Sequence, residues 1–287
     1  MMLARTAAEL PDRPDGIRAV VMTMGALHEG HLALVRRARE RADQVIVTIF
    51  VNPLQFDDPG DLERYPRTLG ADCALLEAEG VDAVLAPSVE EMYPGGRPVV
   101  TVSAGAVGEV LEGAHRPGHF DGMLTVVLKL LHLTAPDVAL FGAKDAQQVI
   151  AVRAMVRDLS APVEIEAVPT VREPDGLALS SRNVHLRAGE RERALALSRA
   201  LEAASAAARN GAPVADVVEA GRRVLDEAAR ASADVTVDYL AAMDPRSAQP
   251  LEGDYRGEAV IAVAARVGDT RLIDNVTVHI DPEGESS

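Results

Sequence analysis

A chain of 287 residues can bury a large core, and ordinary domain sizes lead us to expect two domains. Lys plus Arg number 29 against 44 Asp plus Glu, a formal net charge of −15 that argues against general affinity for nucleic acid or an anionic membrane, so an anionic substrate needs local basic groups. The single Cys73 excludes an internal disulfide and reads as a buried, inert thiol in a reducing compartment. No apolar run approaches the ~20 residues of a membrane span and Met1 to Arg18 lacks a signal-peptide core, so a soluble cytoplasmic protein is expected.

Ile17 to Met22 is an apolar, valine-containing run, and Leu32, Leu34, Val35 and Ala38 recur at helical spacing. Between them lies Thr-Met-Gly-Ala-Leu-His-Glu-Gly-His, residues 23 to 31, which predicts strand, glycine turn and helix. The first turn of a helix has N–H groups without intrahelical partners and the positive end of the macrodipole, so phosphate is favoured there. Gly30 leaves room, and His28 and His31, three apart, share one face of that turn and suit the oxygens of one polyphosphate. A metal pair or polar residues at a helix start are the competing readings of so short a motif.

Gln44 to Val51 reads as a parallel strand covered on both faces, ended by Asn52-Pro53. The turn Leu54-Gln55-Phe56, followed by Asp57-Asp58-Pro59-Gly60, then falls at the carboxyl edge of the sheet, making Gln55 either a substrate contact or a solvated loop residue. Tyr65-Pro66 starts or interrupts a helix carrying Leu69, Cys73, Leu76 and Ala78, and Val81 to Ala86 reads as a third strand.

From Pro87 to Asp121 the chain is irregular: turns at Tyr93 to Gly96 and Gly113 to Gly118 surround a short expected strand, Val99 to Val102. Arg116 and His119 are weighed as substrate contacts against a solvated Arg and a capping His. Leu124 to Leu133 predicts a core helix whose Lys129 extends its head to solvent.

Asp137 to Phe141 is the next expected strand, then Gly142-Ala143-Lys144-Asp145, then a helix with Val149, Val152, Met155 and Val156. The P-loop spacing is absent, yet Lys144 suits phosphate, Asp145 a ribose hydroxyl or an N-cap, and Gln148 the same cleft. Val163 to Val168 is a fifth strand leading into Asp175 to Asn183, where Ser180, Ser181, Arg182 and Asn183 suit a loop closing on phosphate or a serine turn capping a helix. Alanine-rich helices over Ala188 to Arg209 and Val214 to Arg230, then alternating Val235 to Ala241, Ala259 to Val267 and Arg271 to Ile280, predict an α+β domain with an antiparallel sheet. Asp281 to Ser287 reads as a polar, disordered tail.

Four segments together, the motif at 23 to 31, Ile-Phe-Val-Asn-Pro-Leu-Gln-Phe at 49 to 56, Phe-Gly-Ala-Lys-Asp-Ala-Gln-Gln at 141 to 148 and Ser-Ser-Arg-Asn at 180 to 183, resemble the pantothenate synthetase family of HxGH nucleotidyltransferases. The similarity runs from about Val20 through Asn275. It implies an α/β fold with a Rossmann-type parallel sheet domain (1–172) binding nucleotide and pantoate, a smaller α+β C-terminal lid domain (173–287), and a homodimer.

The implied reaction uses ATP with Mg2+: pantoate attacks the α-phosphate to give pantoyl adenylate and pyrophosphate, then β-alanine displaces AMP. The resemblance assigns ATP contacts to Met24, Gly25, Ala26, Leu27, His28, Glu29, Gly30 and His31, to Gly142, Ala143, Lys144 and Asp145, and to Val171, Leu179, Ser180, Ser181 and Arg182. His28 and His31 fall on the phosphates with His31 as proton donor, Lys144 and Ser180-Ser181-Arg182 as charge stabilisers, and Gln55 and Gln148 on pantoate and β-alanine. It names no metal ligand. Ala146, Leu179 and Met22 stand where the family usually has an aromatic, often Met, and commonly Pro. A related adenylyltransferase is the main rival, followed by a non-catalytic nucleotide-binding module; an aminoacyl-tRNA synthetase is disfavoured by the acidic balance.

Overall fold

The computed structural model describes residues 1–56 and 59–281, so the expected Asp57-Asp58 turn and the tail from Pro282 lie outside the described residues. The chain groups into two compact units: Met1–Glu109, Gly113–Ala143 and Ala151–Pro169 in the first, and Val110–Glu112, Lys144–Ile150 and Thr170 onward in the second.

In the first unit β1 (Met2–Ala4), β2 (Arg18–Thr23), α1 (Glu29–Arg41), β3 (Gln44–Ile49), α2 (Pro59–Arg64), α3 (Leu69–Ala78), β4 (Ala83–Leu85) and α4 (Val89–Met92) come first. Then follow α6 (His119–Thr134), β5 (Val138–Gly142) and β6 (Glu164–Val168), while the short α5 (Glu112–His115) and α7 (Ala146–Asp158) each begin in the second unit and end in the first. The six strands form one parallel sheet in the order β1-β4-β3-β2-β5-β6. β2 through β5 are nearly continuous runs of buried residues, as a parallel sheet covered on both faces demands. Val21, Val47, Val84 and Leu140 share a core with Leu34, Val35 and Ala38 of α1 and Leu76 of α3.

Strand order reverses between β2 and β5, which pair directly through Ala19–Val138 and Val21–Leu140. In open α/β sheets that reversal leaves a crevice at the strands' carboxyl ends where ligands bind. The turn after Thr23 and the turn opening at Gly142 are the two segments that leave those ends.

Three expectations differ from the structure. Val99 to Val102 forms no strand: Val99 and Val100 are 101% and 84% exposed, and the sheet edge beside β4 is taken by Met2–Ala4, a strand the sequence reading did not expect. Lys129 does not reach into solvent; its ammonium donates to the Met92 carbonyl at the end of α4 and lies 5.6 Å from the centre of the Tyr93 ring. Cys73 is half-buried rather than fully buried, and burial pushes its thiol above the ordinary range, consistent with an inert group.

The second unit contains α8 (Ala188–Arg209), α9 (Val214–Ala231), and the antiparallel strands β7 (Val235–Met243), β8 (Gly257–Val267) and β9 (Thr270–Ile280), in the order β7-β8-β9. Ala194, Leu197, Ala200, Leu201 and Ala204 recur along one face of α8 and pack with Ile261 and Val263 of β8 and Leu272 of β9. Both helices and all three strands fall where the alanine-rich and alternating patterns predict.

Candidate active site

The chain leaves β2 at Thr23, whose hydroxyl donates to the Thr48 carbonyl and accepts from Gly25 N–H, turning the backbone at once. Gly25 has φ +83, and a Cβ there would lie 3.1 Å from an Asp72 carboxylate oxygen. Ala26 follows at φ +51, a costly value for a residue with a Cβ. Asp72 on α3 holds it: this 2% exposed carboxylate accepts the N–H groups of Ala26 (3.1 Å) and Leu27 (2.9 Å) and the Thr68 hydroxyl (3.1 Å).

His28 is the extended N-cap of α1. Its Nδ1 accepts from Gly30 N–H at 3.1 Å, and Nδ1 of His31 accepts from His28 N–H at 3.3 Å, a reciprocal capping arrangement. The rings lie 4.1 Å apart between centroids. With both Nδ1 atoms accepting, each neutral imidazole carries its proton on Nε2, the correct form to donate to a phosphate oxygen. Glu29, in the first turn of α1, pairs with Arg36.

Gln55 sits in a single 3-10 turn, Pro53–Gln55, capped by Asn52. Only 8% exposed, it accepts from Asn52 Nδ2 at 3.0 Å through Oε1, and its Nε2 lies 3.2 Å from Met24 Sδ. The structure thus brings Gln55 to the start of the histidine motif. Asn52 in turn donates to the Gly122 carbonyl and accepts from the Tyr93 hydroxyl at 2.8 Å. Burial pushes the Tyr93 phenol well above its ordinary range, so it remains a donor. Helix α6 comes so close that a Cβ on Gly122 would lie 2.1 Å from the Leu54 carbonyl oxygen.

Arg116 and His119 reach Gln55 too, but its main chain: His119 Nδ1 donates to the Gln55 carbonyl at 2.8 Å and Arg116 at 3.3 Å. Expected as substrate contacts or as a solvated Arg and a capping His, they buttress the predicted contact Gln55 through its main chain. Asn52 and Asp72 also support the site, though neither stands out as a site residue in the sequence. The signal for Asp72 was present, since a carboxylate at position 72 sits on the same helical face as Leu69, Cys73 and Leu76.

Gly142 closes β5 and Ala143 opens a 3-10 turn, Ala143–Asp145, that continues in the second unit. There Asn275 Nδ2 donates to the Lys144 carbonyl at 2.7 Å. Lys144 and Gln148 are partly buried, Asp145 is exposed, and Gln147 is buried with its amide bonded to Val110 and Glu112 backbone. Arg271 holds Glu112 by both carboxylate oxygens, at 2.7 and 2.8 Å, and Asp238 at 2.6 Å. Burial disfavours the Arg271 charge, but these two carboxylates outweigh it and keep the guanidinium charged.

Val171 and Leu179 are joined by a 2.9 Å main-chain hydrogen bond, and Arg172 and Ala178 by an antiparallel bridge, so the segment is a narrow hairpin. Ser180 caps the 3-10 turn Ser181–His185, its hydroxyl accepting from Arg182 N–H at 3.3 Å, and Arg182 itself is exposed. Glu173 anchors the hairpin to Arg191 at 2.7 Å and to Asn183 at 2.8 Å, which holds its carboxyl below the ordinary range. Among the described residues no group of three His, Cys, Asp or Glu could hold a metal ion.

The model of the family described as Pantoate-beta-alanine ligase matches residues 4–277. A pantothenate synthetase of Streptomyces avermitilis is 54% identical, with 96% of each chain covered, and pantothenate synthetase 4 of Frankia alni is 58% identical over 98% of this chain and 88% of its own. Among solved structures, the pantothenate synthetase of Thermus thermophilus superposes with a TM-score of 0.88 at 48% identity, covering 98% of this chain and 100% of that one. The Francisella tularensis pantoate-beta-alanine ligase, solved with beta-gamma ATP and β-alanine, gives 0.76 at 33% identity over 96% and 97% of the two chains. With a family model matched almost end to end, and relatives this similar along their whole length, the chain belongs to the pantoate-beta-alanine ligase family.

Proposed function

We propose that this protein condenses (R)-pantoate with β-alanine at the expense of ATP, through a pantoyl adenylate. The observation that carries the reading is the full-length family match on a chain whose histidine turn lies against a buried glutamine, Gln55 beside Met24. In the first step the pantoate carboxylate attacks the α-phosphorus and the bond to pyrophosphate breaks. A carboxylate is already nucleophilic, so the step needs alignment and donors facing the leaving pyrophosphate rather than a strong base. In the second, the β-alanine amine attacks the acyl carbon, loses a proton and expels AMP.

Met24 to His31 contact ATP in this reading, with the Nε2–H groups of His28 and His31 on its phosphates and His31 as proton donor. Gly142 to Asp145, Val171 and Leu179 to Arg182 supply the remaining nucleotide contacts, Lys144, Ser180, Ser181 and Arg182 stabilising charge. Gln55 and Gln148 orient pantoate and β-alanine without the repulsion a carboxylate would bring. Residues 1–172 serve as the nucleotide- and pantoate-binding domain and 173–287 as a lid. Mg2+ would arrive bound to the triphosphate and offset its negative charge as the pyrophosphate leaves.

The protein works as a cytoplasmic homodimer; the lone Cys73 and the absence, among the described residues, of a helix long and apolar enough to cross a membrane support the compartment. Light scattering tests the dimer. The function is tested by pyrophosphate release from ATP and pantoate, with AMP appearing only once β-alanine is added. Consumption of a phosphorylated acceptor with pantoate left untouched would overturn it.

A further inference from the structure

Lys144 stands in a single 3-10 turn, too short to hold itself rigid. What fixes it comes from β9. Residues 271 and 275 lie on the same face of that strand, alternating with 272 and 274. From that face Asn275 donates to the Lys144 carbonyl at 2.7 Å. Arg271 grips Glu112, whose N–H donates to Gln147 Oε1 at 3.0 Å, so the start of α7 is pinned a second time, three residues on. On the opposite face Asp274, 4% exposed, takes Arg172 in a two-pronged ion pair at 2.7 and 3.0 Å, next to Val171 in the hairpin. One strand therefore carries the anchors of both nucleotide segments of the second unit.

We propose that Asn275 is a positioning residue for adenylyl transfer: by holding the Lys144 carbonyl it fixes the root of the side chain that meets the leaving pyrophosphate. The proposal rests on the reading of Lys144 given above. A lysine carries its charge at the end of four flexible methylenes, so the nitrogen is placed no better than the backbone that bears it. A main-chain anchor tightens that placement without touching substrate. A second, longer-range hold by Arg271 and Gln147 keeps the helix start in register, so losing Asn275 loosens Lys144 while the turn stays folded.

The experiment compares Asn275→Ala and Asn275→Asp, the latter of equal size but without the donor, in the wild-type and Lys144→Ala backgrounds of the full chain. Single-turnover pyrophosphate formation is read at saturating ATP and pantoate, with the KM for β-alanine and the urea midpoint measured alongside. We expect each Asn275 variant to slow adenylation about 10- to 100-fold, as small misplacements do, with the KM for β-alanine unchanged. In the Lys144→Ala background the same substitutions should cost under about twofold, because the group they position is gone.

Equal losses in both backgrounds would mean a merely structural asparagine and overturn the proposal. A full adenylation rate in Asn275→Ala and Asn275→Asp, with Lys144→Ala impaired, overturns it while leaving Lys144 in its role. A full rate in Lys144→Ala removes that lysine from the mechanism and the proposal with it.

Discussion

The carboxylate of Asp72 accepts the main-chain N–H of Leu27 at 2.9 Å, across 45 residues of sequence. Through this bond and its partner at Ala26, α3 holds the strained turn that presents His28. Asp72→Ala leaves both N–H groups without their acceptor and should cost about 1–3 kcal/mol, read as a lower urea midpoint. ATP affinity should fall with it, whereas an unchanged ATP titration would show that the turn keeps its shape unaided.

His31→Ala removes an Nε2–H donor and Lys144→Ala a charge. If each acts on the leaving pyrophosphate, each should lower the adenylation rate by about 2–4 kcal/mol of transition-state stabilisation, with a smaller effect on ATP binding. Rapid-quench pyrophosphate measurements distinguish this from a general loss of affinity. Gln55→Ala and Gln148→Ala should instead raise the KM for pantoate.

Gly122 is the point of nearest approach between α6 and the Gln55 turn. Because a Cβ would lie 2.1 Å from the Leu54 carbonyl oxygen and 2.8 Å from Gln55 nitrogen, Gly122→Ala must displace one of the two segments. Overpacking of this kind costs about 1–3 kcal/mol. The expected signature is a lower melting temperature together with weakened pantoate use, while ATP binding alone is nearly preserved.

Glu173 gives a pH-dependent prediction. Its hydrogen bond to Arg191 comes first among the causes that hold its carboxyl below the ordinary 4.5, followed by the opposing effect of burial. A depressed folded-state value stabilises the protein above the unfolded value, and that stabilisation disappears as pH falls through the folded one. Glu173→Gln should therefore be less stable than the parent near neutrality, and the two urea midpoints should converge on acidification below 4.5. A gap that persists there would assign the effect to packing.

Local features were legible in the chain. The strand, glycine turn and helix around His28 follow one another directly from Arg18 to Arg41, and the Ala194-to-Ala204 face of α8 announces itself by spacing alone. Contacts made across the fold were not. Asn52 reads as a strand terminator, Asp72 as one more helix residue, and His119 as a cap, because their long-range partners are 41 to 70 residues away and only the folded sheet edge assembles them. Met2–Ala4 escaped notice for another reason: a three-residue strand with Met2 and Leu3 each 43% exposed has too little pattern to read. Val99 to Val102 has the pattern, yet it joins neither sheet and leaves Val99 and Val100 exposed.

The direct pairing of β2 with β5 has a consequence for how the protein breathes. Both are interior strands of the sheet, with neighbours on either side, and the motif residues around His28 and at Gly142 leave from their ends. If ATP grips both exits, as proposed, it must be released before the two strands separate, so saturating ATP at about 100 times its dissociation constant adds about 2.7 kcal/mol against that opening. Deuterium uptake at the amides of Val20, Val21, Ala139 and Leu140 should slow about a hundredfold, whereas uptake along the outer strand Met2–Ala4 stays fast.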